Sequence, residues 1–177
     1  LSINTGIQSN YNKIKGAKKD WVPVKPISRL ANNFFSEIKD TNAIAFIGGG
    51  AGAVELALAL RKRYIIDKPH LKITIITGKN GLLSSFPKQT KQTSKNALKK
   101  VSIDIIENTE VLEVKHNKII MSDKKTLNID KCILSTNAMA PNWLKDSDIK
   151  LNNKGFIVVN NAFQTNNSFI FAAGDIV

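Results

Sequence analysis

The sequence predicts an α/β fold: a parallel sheet with flanking helices, carrying a three-stranded antiparallel β-meander. Three observations predict it. Residues 43–47, AIAFI, are continuously apolar, as strands buried on both faces of a parallel sheet are. A helical stretch then leads to a second β-rich run, LKITIIT at 71–77. Strand, helix and strand at this spacing make a crossover unit, for which the right-handed connection is the default. Beyond residue 108 the texture changes to short alternating runs, TEVLEVKHN, KIIMSD and KTLNID, divided by polar turn residues; these read as the meander.

The elements follow in order. Residues 1–26 read as a short strand and an irregular connector, with a lysine cluster and with Pro23 and Pro26 holding Val22 and Lys25 extended. ISRLANNFFSEIK, 27–39, places apolar groups at 27, 30, 31, 34, 35 and 38, helical spacing with one buried face. The strand at 43–47 opens into a helix from about Ala51 to Tyr64, followed by the strand at 71–77, a candidate helix at 90–100 and a third strand in VSIDIIE. After the meander, KCILST is a further buried strand. APNWLKDSDIKLNNKG is a connecting loop with room for one helical turn, and FIVVN and SFIFAAG are the closing strands.

Composition bounds the function classes. At 177 residues and 42% hydrophobic, the chain is one domain of ordinary size or one domain with flanking pieces. No apolar run reaches the roughly eighteen residues of a membrane span, and no signal-peptide pattern opens the chain. Cys132 is the single cysteine, which excludes an intramolecular disulfide, a CxxC pair and a multi-cysteine zinc site within the chain. Its apolar neighbours make it a small core residue, and a reducing, cytoplasmic setting fits. Twenty-six Lys+Arg against fourteen Asp+Glu give a net charge of +12. The basic residues are spread out, arginine occurs three times and aromatic interleaving is sparse, so a solvated lysine surface is favoured over a nucleic-acid interface.

The residues that carry chemistry lie in IAFIGGGAGAVELALAL, 44–60. Gly48, Gly50 and Ala53 match G-x-G-x-x-A at a turn from strand to helix, the context in which that motif is informative. Gly48 allows the sharp turn, Gly50 lets the backbone approach a pyrophosphate, and Ala53 lets the helix pack on the strand. The first N–H groups of the helix then face an anion. In that context the fold reads as Rossmann-like and the ligand as a dinucleotide; the alternative is a tight strand-to-helix turn without a ligand. The fingerprint departs in one place. A carboxylate for the adenosine ribose is expected near Thr77 or Gly78, but no Asp or Glu occurs from Lys68 to Ile103, a stretch with eight lysines. Lys79 reads either as a 2′-phosphate contact or as a lysine on a solvated loop. Glu55 reads either as a charge favoured by the helix N-terminus or as a group near the nicotinamide. No catalytic acid–base pair, nucleophile or metal site is visible.

Four pieces in order carry a resemblance: LSINTG, GGGAGAVELA, STNAMAPN and TNNSFIFAAGD. Together they resemble the pyridine nucleotide–disulfide oxidoreductase superfamily, over the whole chain. LSINTG is similar to the crossing strand from FAD domain to NAD domain, and GGGAGAVELA to the NAD(P) loop. STNAMAPN resembles the return crossing, with Asn137 where the family has glycine. TNNSFIFAAGD resembles a flavin motif, in which Asp175 would bind the ribityl chain. The pattern is closest to type II NADH dehydrogenases, and VPVKPI, GGGAGAVELALAL and APNWL…GFIVVN are most similar to NADH-dehydrogenase-like modules fused to selenide, water dikinase.

The resemblance implies an NAD(P)H-binding domain of a flavin-dependent oxidoreductase. It implies hydride transfer from NAD(P)H to FAD and on to an acceptor such as a quinone. The alternative is a non-catalytic nucleotide-binding or regulatory module attached to another enzyme. Expected cofactor-binding residues are Gly48, Gly49, Gly50, Ala51, Gly52, Ala53, Glu55, Thr77, Gly78, Lys79, Ala138, Pro141 and Asp175. The expected divisions are 1–42, crossing strand, connector and lead-in helix; 43–137, NAD(P)-binding core with meander; and 138–177, closing strands returning toward an FAD domain. The sequence reads as a fragment of a longer chain, inactive alone, whose partner is the remaining FAD-binding half and whose first and last strands lie near each other. In the full-length protein a membrane-peripheral location is open.

Overall fold

A computed structural model describes residues 1–9, 14–16, 21–24, 38, 40–136 and 138–177. The helix expected at 27–39 and Asn137 lie outside these residues, apart from Ile38, which is fully buried. The chain divides into two compact units, residues 11–137 and residues 1–10 with 138–177.

The larger unit is built on a five-stranded parallel sheet. Its strands are β3 (Trp21–Pro23), β4 (Ala43–Ile47), β5 (Lys72–Ile76), β6 (Ile103–Ile106) and β10 (Lys131–Leu134), in spatial order β3-β10-β4-β5-β6. Helix α1 (Ala51–Tyr64) connects β4 to β5, and α2 (Lys88–Lys100) connects β5 to β6. Strands β7 (Val111–Lys115), β8 (Lys118–Met121) and β9 (Thr126–Asn128) form the antiparallel meander. The expected fold class is the observed one.

The continuous apolarity of β4 is explained by its two different neighbours. Successive side chains of a strand point to opposite faces. Ile44 and Phe46 join a core with Ala53, Ala57 and Leu60 of α1 and Leu98 of α2. Ala45 and Ile47 join a second core with Val111, Val114, Ile119 and Met121 of the meander. Strand β10 splits in the same way, Ile133 toward the helices and Cys132 and Leu134 toward the meander. A sheet covered by helices on one face and by a second sheet on the other leaves no polar position in its central strand.

Two readings of the sequence are corrected. Residues 21–23, expected in an irregular connector, are strand β3, parallel to β10 with Cys132 opposite Trp21. It is an edge strand, where a proline lacking an N–H is tolerated. FIVVN, expected as a strand, forms only the single bridge Leu151–Ile157 among the described residues. Its amides serve separate segments: Ile157 N donates to Ile176 O at 3.0 Å and Val158 N to Lys150 O at 2.9 Å.

In the smaller unit β1 (Ser2–Ile3) pairs in parallel with β12 (Phe171–Ala172), and β2 (Gln8–Ser9) pairs antiparallel with β11 (Ala138–Met139). The first and last strands are therefore neighbours, as expected, and Leu1 N donates to Phe169 O at 2.8 Å. Ile3, Leu144, Ile157, Ala172 and Ile176 form its core. The asparagines order its loops: Asn160 Oδ1 accepts from Ala162 N and Gln164 N, and Asn152 Oδ1 from Lys154 N and Phe156 N, side-chain turns that replace backbone pairing. The expected helical turn is a 3-10 turn, Asn142–Asp146. Among the described residues no helix is long and apolar enough to cross a membrane.

Candidate functional site: a cleft at the ends of the parallel strands

In open α/β sheets, ligands bind beyond the carboxyl ends of the strands. In the larger unit a cleft of about 550 Å³ lies there, lined by Gly48, Gly49 and Gly50 after β4, residues 77–81 and 83–86 after β5, Glu110 before β7, and Thr136 after β10.

The four glycines of the loop have different physical reasons. Gly48 has φ +118°, and a Cβ there would sit 2.1 Å from Ser135 O; the turn and the neighbouring strand end both require glycine. A Cβ on Gly49 would lie 2.8 Å from Thr77 Cγ2 and 3.0 Å from Gly81 O, so Gly49 admits the loop that follows β5. Gly52 would make only an ordinary contact with Ser135 Oγ, at 3.7 Å. Gly50 is the exception. Its φ of −76° suits any residue, and a Cβ there would meet nothing within 4 Å. Packing among the described residues gives no reason for glycine at this position, which opens onto free space.

Gly50 is also the N-cap of α1, and no side chain caps the helix. Ala53 N donates to Gly50 O at 3.1 Å, and among the described residues no side-chain oxygen serves the amides of Ala51 and Gly52 before it. Such a terminus attracts an anion, helped by the helix dipole. Arg61, Lys62 and Arg63 complement the other end. Ala51 lies half-buried at the start of the helix, and Ala53 is fully buried in the core beneath. Glu55 is exposed on α1, outside the first turn.

The outer wall of the cleft is tied down. Leu83 N donates to Gly49 O at 2.7 Å, with Leu83 itself buried at φ +51°. Leu82 N donates to Glu107 Oε1 at 3.0 Å, and Lys95 Nζ bonds Glu107 Oε2. The hydrogen bond from Lys95, then that from Leu82, holds the Glu107 carboxyl below the usual carboxylate range. Thr77 lines the cleft from beneath: it is 1% exposed, and its hydroxyl faces Gly78 O at 3.3 Å. Gly78 is half-buried, and Lys79 is exposed at the rim.

Eight residues at the cleft escape the sequence reading: Asn80, Gly81, Leu83, Ser84, Ser85, Phe86, Glu110 and Thr136. Glu110 Cγ lies 3.7 Å from the point where Gly78 would carry a Cβ. Its signal was topological: β6 pairs beside β5, so the segment after β6 emerges next to the segment after β5. Ala138 and Pro141 lie in the smaller unit, Ala138 in β11 and Pro141 just before the 3-10 turn; Asp175 lies there too, in the 3-10 turn Gly174–Ile176. Cys132 is fully buried, and burial pushes its thiol up to about 12. At neutral pH it stays a thiol, the less nucleophilic form.

A family model described as pyridine nucleotide-disulphide oxidoreductase matches residues 1–177. Dihydrolipoyl dehydrogenase of Geobacillus stearothermophilus is 30% identical over 146 residues, covering 76% of this chain and 30% of that protein. Type II NADH:quinone oxidoreductase of Haemophilus influenzae is 26% identical over 155 residues, covering 80% of this chain and 35% of that protein. Among solved structures, the water-forming NADH oxidase of Lactobacillus brevis bound to NADH superposes with a TM-score of 0.83 at 19% identity, over 99% of this chain and 38% of that one. The chain thus spans about a third of the length of these relatives.

Proposed function

The chain belongs to the pyridine nucleotide-disulphide oxidoreductase family, and from that premise we propose that it is the NAD(P)H-binding part of a flavin-dependent oxidoreductase. The observation that carries the reading is Gly50: a glycine unexplained by packing, at an uncapped helix N-terminus, facing an open cleft. A pyrophosphate suits this seat in charge and in the close approach it needs.

A reduced nicotinamide held there would supply a hydride to a flavin, which in this reading the full-length protein would hold. This chain's residues bind and orient. Gly48 to Ala53 form the phosphate turn, Gly48 and Gly49 shaping it and Gly50 to Gly52 presenting amides. Gly78 and Lys79 border the adenosine, with Thr77 beneath. Glu55 belongs to the nicotinamide side in this reading; in the smaller unit, Ala138 and Pro141 are cofactor-binding residues and Asp175 belongs to the flavin. No residue here needs to move a proton, because the cofactors carry the reaction. The acceptor beyond the flavin is a quinone in this reading, which the likeness to the Haemophilus influenzae quinone oxidoreductase favours.

Calorimetric titration with NADH and with NADPH tests the binding. Saturable binding of either, competed by ADP-ribose, is the expected result. Silence toward both would remove the proposal. Flavin bleaching by NADH in the full-length protein, and reoxidation by a quinone, test the chemistry.

A further inference from the structure

We infer that Glu110 selects the nucleotide at the adenosine end of the cleft, accepting hydrogen bonds from the ribose 2′- and 3′-hydroxyls and disfavouring a 2′-phosphate. The inference rests on the nucleotide-binding reading above and assigns a residue that the motif does not.

The usual place for that carboxylate, the end of the second strand of the unit, holds none. Thr77 is buried, Gly78 has no side chain and Lys79 is a cation. The adjacent strand end supplies one instead. Ile76 pairs with Ile106 across β5 and β6, so the two strands end side by side. Thr109 N donates to Thr77 O at 3.0 Å and Thr77 N to Ile106 O at 2.8 Å, which fixes the segment after β6 against the segment after β5. Glu110 follows directly and lines the cleft, its Cγ beside Gly78.

Glu110 is placed but not spent. Its N–H donates to Ser122 Oγ at 3.1 Å, and its carbonyl accepts from Ser122 N at 2.8 Å. This reciprocal pair holds the backbone. The carboxylate is exposed and makes no ion pair among the described residues. Glu107 stands in contrast, since Leu82 N and Lys95 already occupy its two oxygens. Position also fits a ribose better than the phosphates. The sheet order puts Glu110 two strands from the glycine turn of β4, about 10 Å at ordinary strand spacing. An anion there is well separated from the phosphate seat, and it can take both vicinal hydroxyls while repelling an added phosphate.

The test titrates the protein with ADP-ribose and with 2′-phospho-ADP-ribose, in wild type, Glu110→Gln and Lys79→Gln. Wild type should bind ADP-ribose more tightly. Glu110→Gln should weaken ADP-ribose by about tenfold or more, the loss of a charge-assisted pair, leave the 2′-phosphorylated ligand unchanged or improved, and keep the wild-type melting temperature. A wild-type preference for the 2′-phosphate that Lys79→Gln abolishes would overturn the inference, as would an unchanged ADP-ribose affinity in Glu110→Gln. In both cases nucleotide binding itself would stand. If wild type bound neither ligand, both readings would fall together.

Discussion

Two glycines two residues apart should respond oppositely to substitution. Gly50→Ser places a Cβ in open space at a φ of −76°, so neither strain nor overlap results. Serine is a better N-cap than glycine by a few tenths of a kcal/mol and restricts the unfolded chain, worth up to about 1 kcal/mol more. The melting temperature should hold or rise by about 2–4 °C. The same side chain, however, occupies the approach to the helix N-terminus and offers its own oxygen to the amides. Affinity for NADH or NADPH should fall at least tenfold. Gly48→Ala should do the reverse in stability. A left-handed φ costs a non-glycine residue about 1–2 kcal/mol, and relieving a Cβ built 2.1 Å from Ser135 O adds about 1–3 kcal/mol of overpacking. The resulting loss of roughly 3 kcal/mol corresponds to a drop of about 6–12 °C for a chain of this size. Differential scanning fluorimetry and calorimetric titration on the two variants check both halves. Unchanged nucleotide affinity in Gly50→Ser would refute the assignment of the open space to a phosphate. Wild-type stability in Gly48→Ala would refute the account of the turn.

Further outcomes follow from the same structure. The Glu107 carboxyl has its folded pKa lowered from 4.5, so the stability it contributes is present above the unfolded value and lost as pH falls through the folded one; in Glu107→Gln, acid unfolding curves should lose that dependence below about pH 4.5. Cys132, with its thiol pushed up to about 12, should react with a thiol reagent at pH 8 only as fast as the chain opens, and adding denaturant should accelerate labelling sharply. Arg61 is 5% exposed, its Nη2 donates to Ser102 O at 3.0 Å, and its Nε has no partner among the described residues. Arg61→Met should therefore stay within about 1 kcal/mol of wild type in urea melts, whereas Arg61→Ala, which also loses the packed stem, should cost about 2 kcal/mol.

What could be read from the sequence was what repeats along the chain. AIAFI reads as a doubly buried strand because both of its faces meet apolar layers, and the meander reads through its alternation. Strand β3 does not, since three residues with a proline carry no period, and its partner β10 lies far along the chain, with Cys132 opposite Trp21. FIVVN misleads because its apolar residues answer to the core of the smaller unit rather than to a ladder. At the cleft, G-x-G-x-x-A located the turn, but it could not distinguish Gly48 and Gly49, required by Ser135 and Thr77, from Gly50, required by nothing among the described residues. Glu110 was hidden for a different reason: the motif concerns the end of one strand, and the carboxylate stands beside the end of the next.

The bond from Leu83 N to Gly49 O, together with the hold of Glu107 on Leu82, has a kinetic consequence. The outer wall of the cleft is braced by the chain's own hydrogen bonds, so a nucleotide meets a wall that is already held in place. Association should then be a single concentration-dependent phase, with little ordering cost subtracted from affinity. Exchange between spent and fresh cofactor would accordingly be limited by dissociation alone.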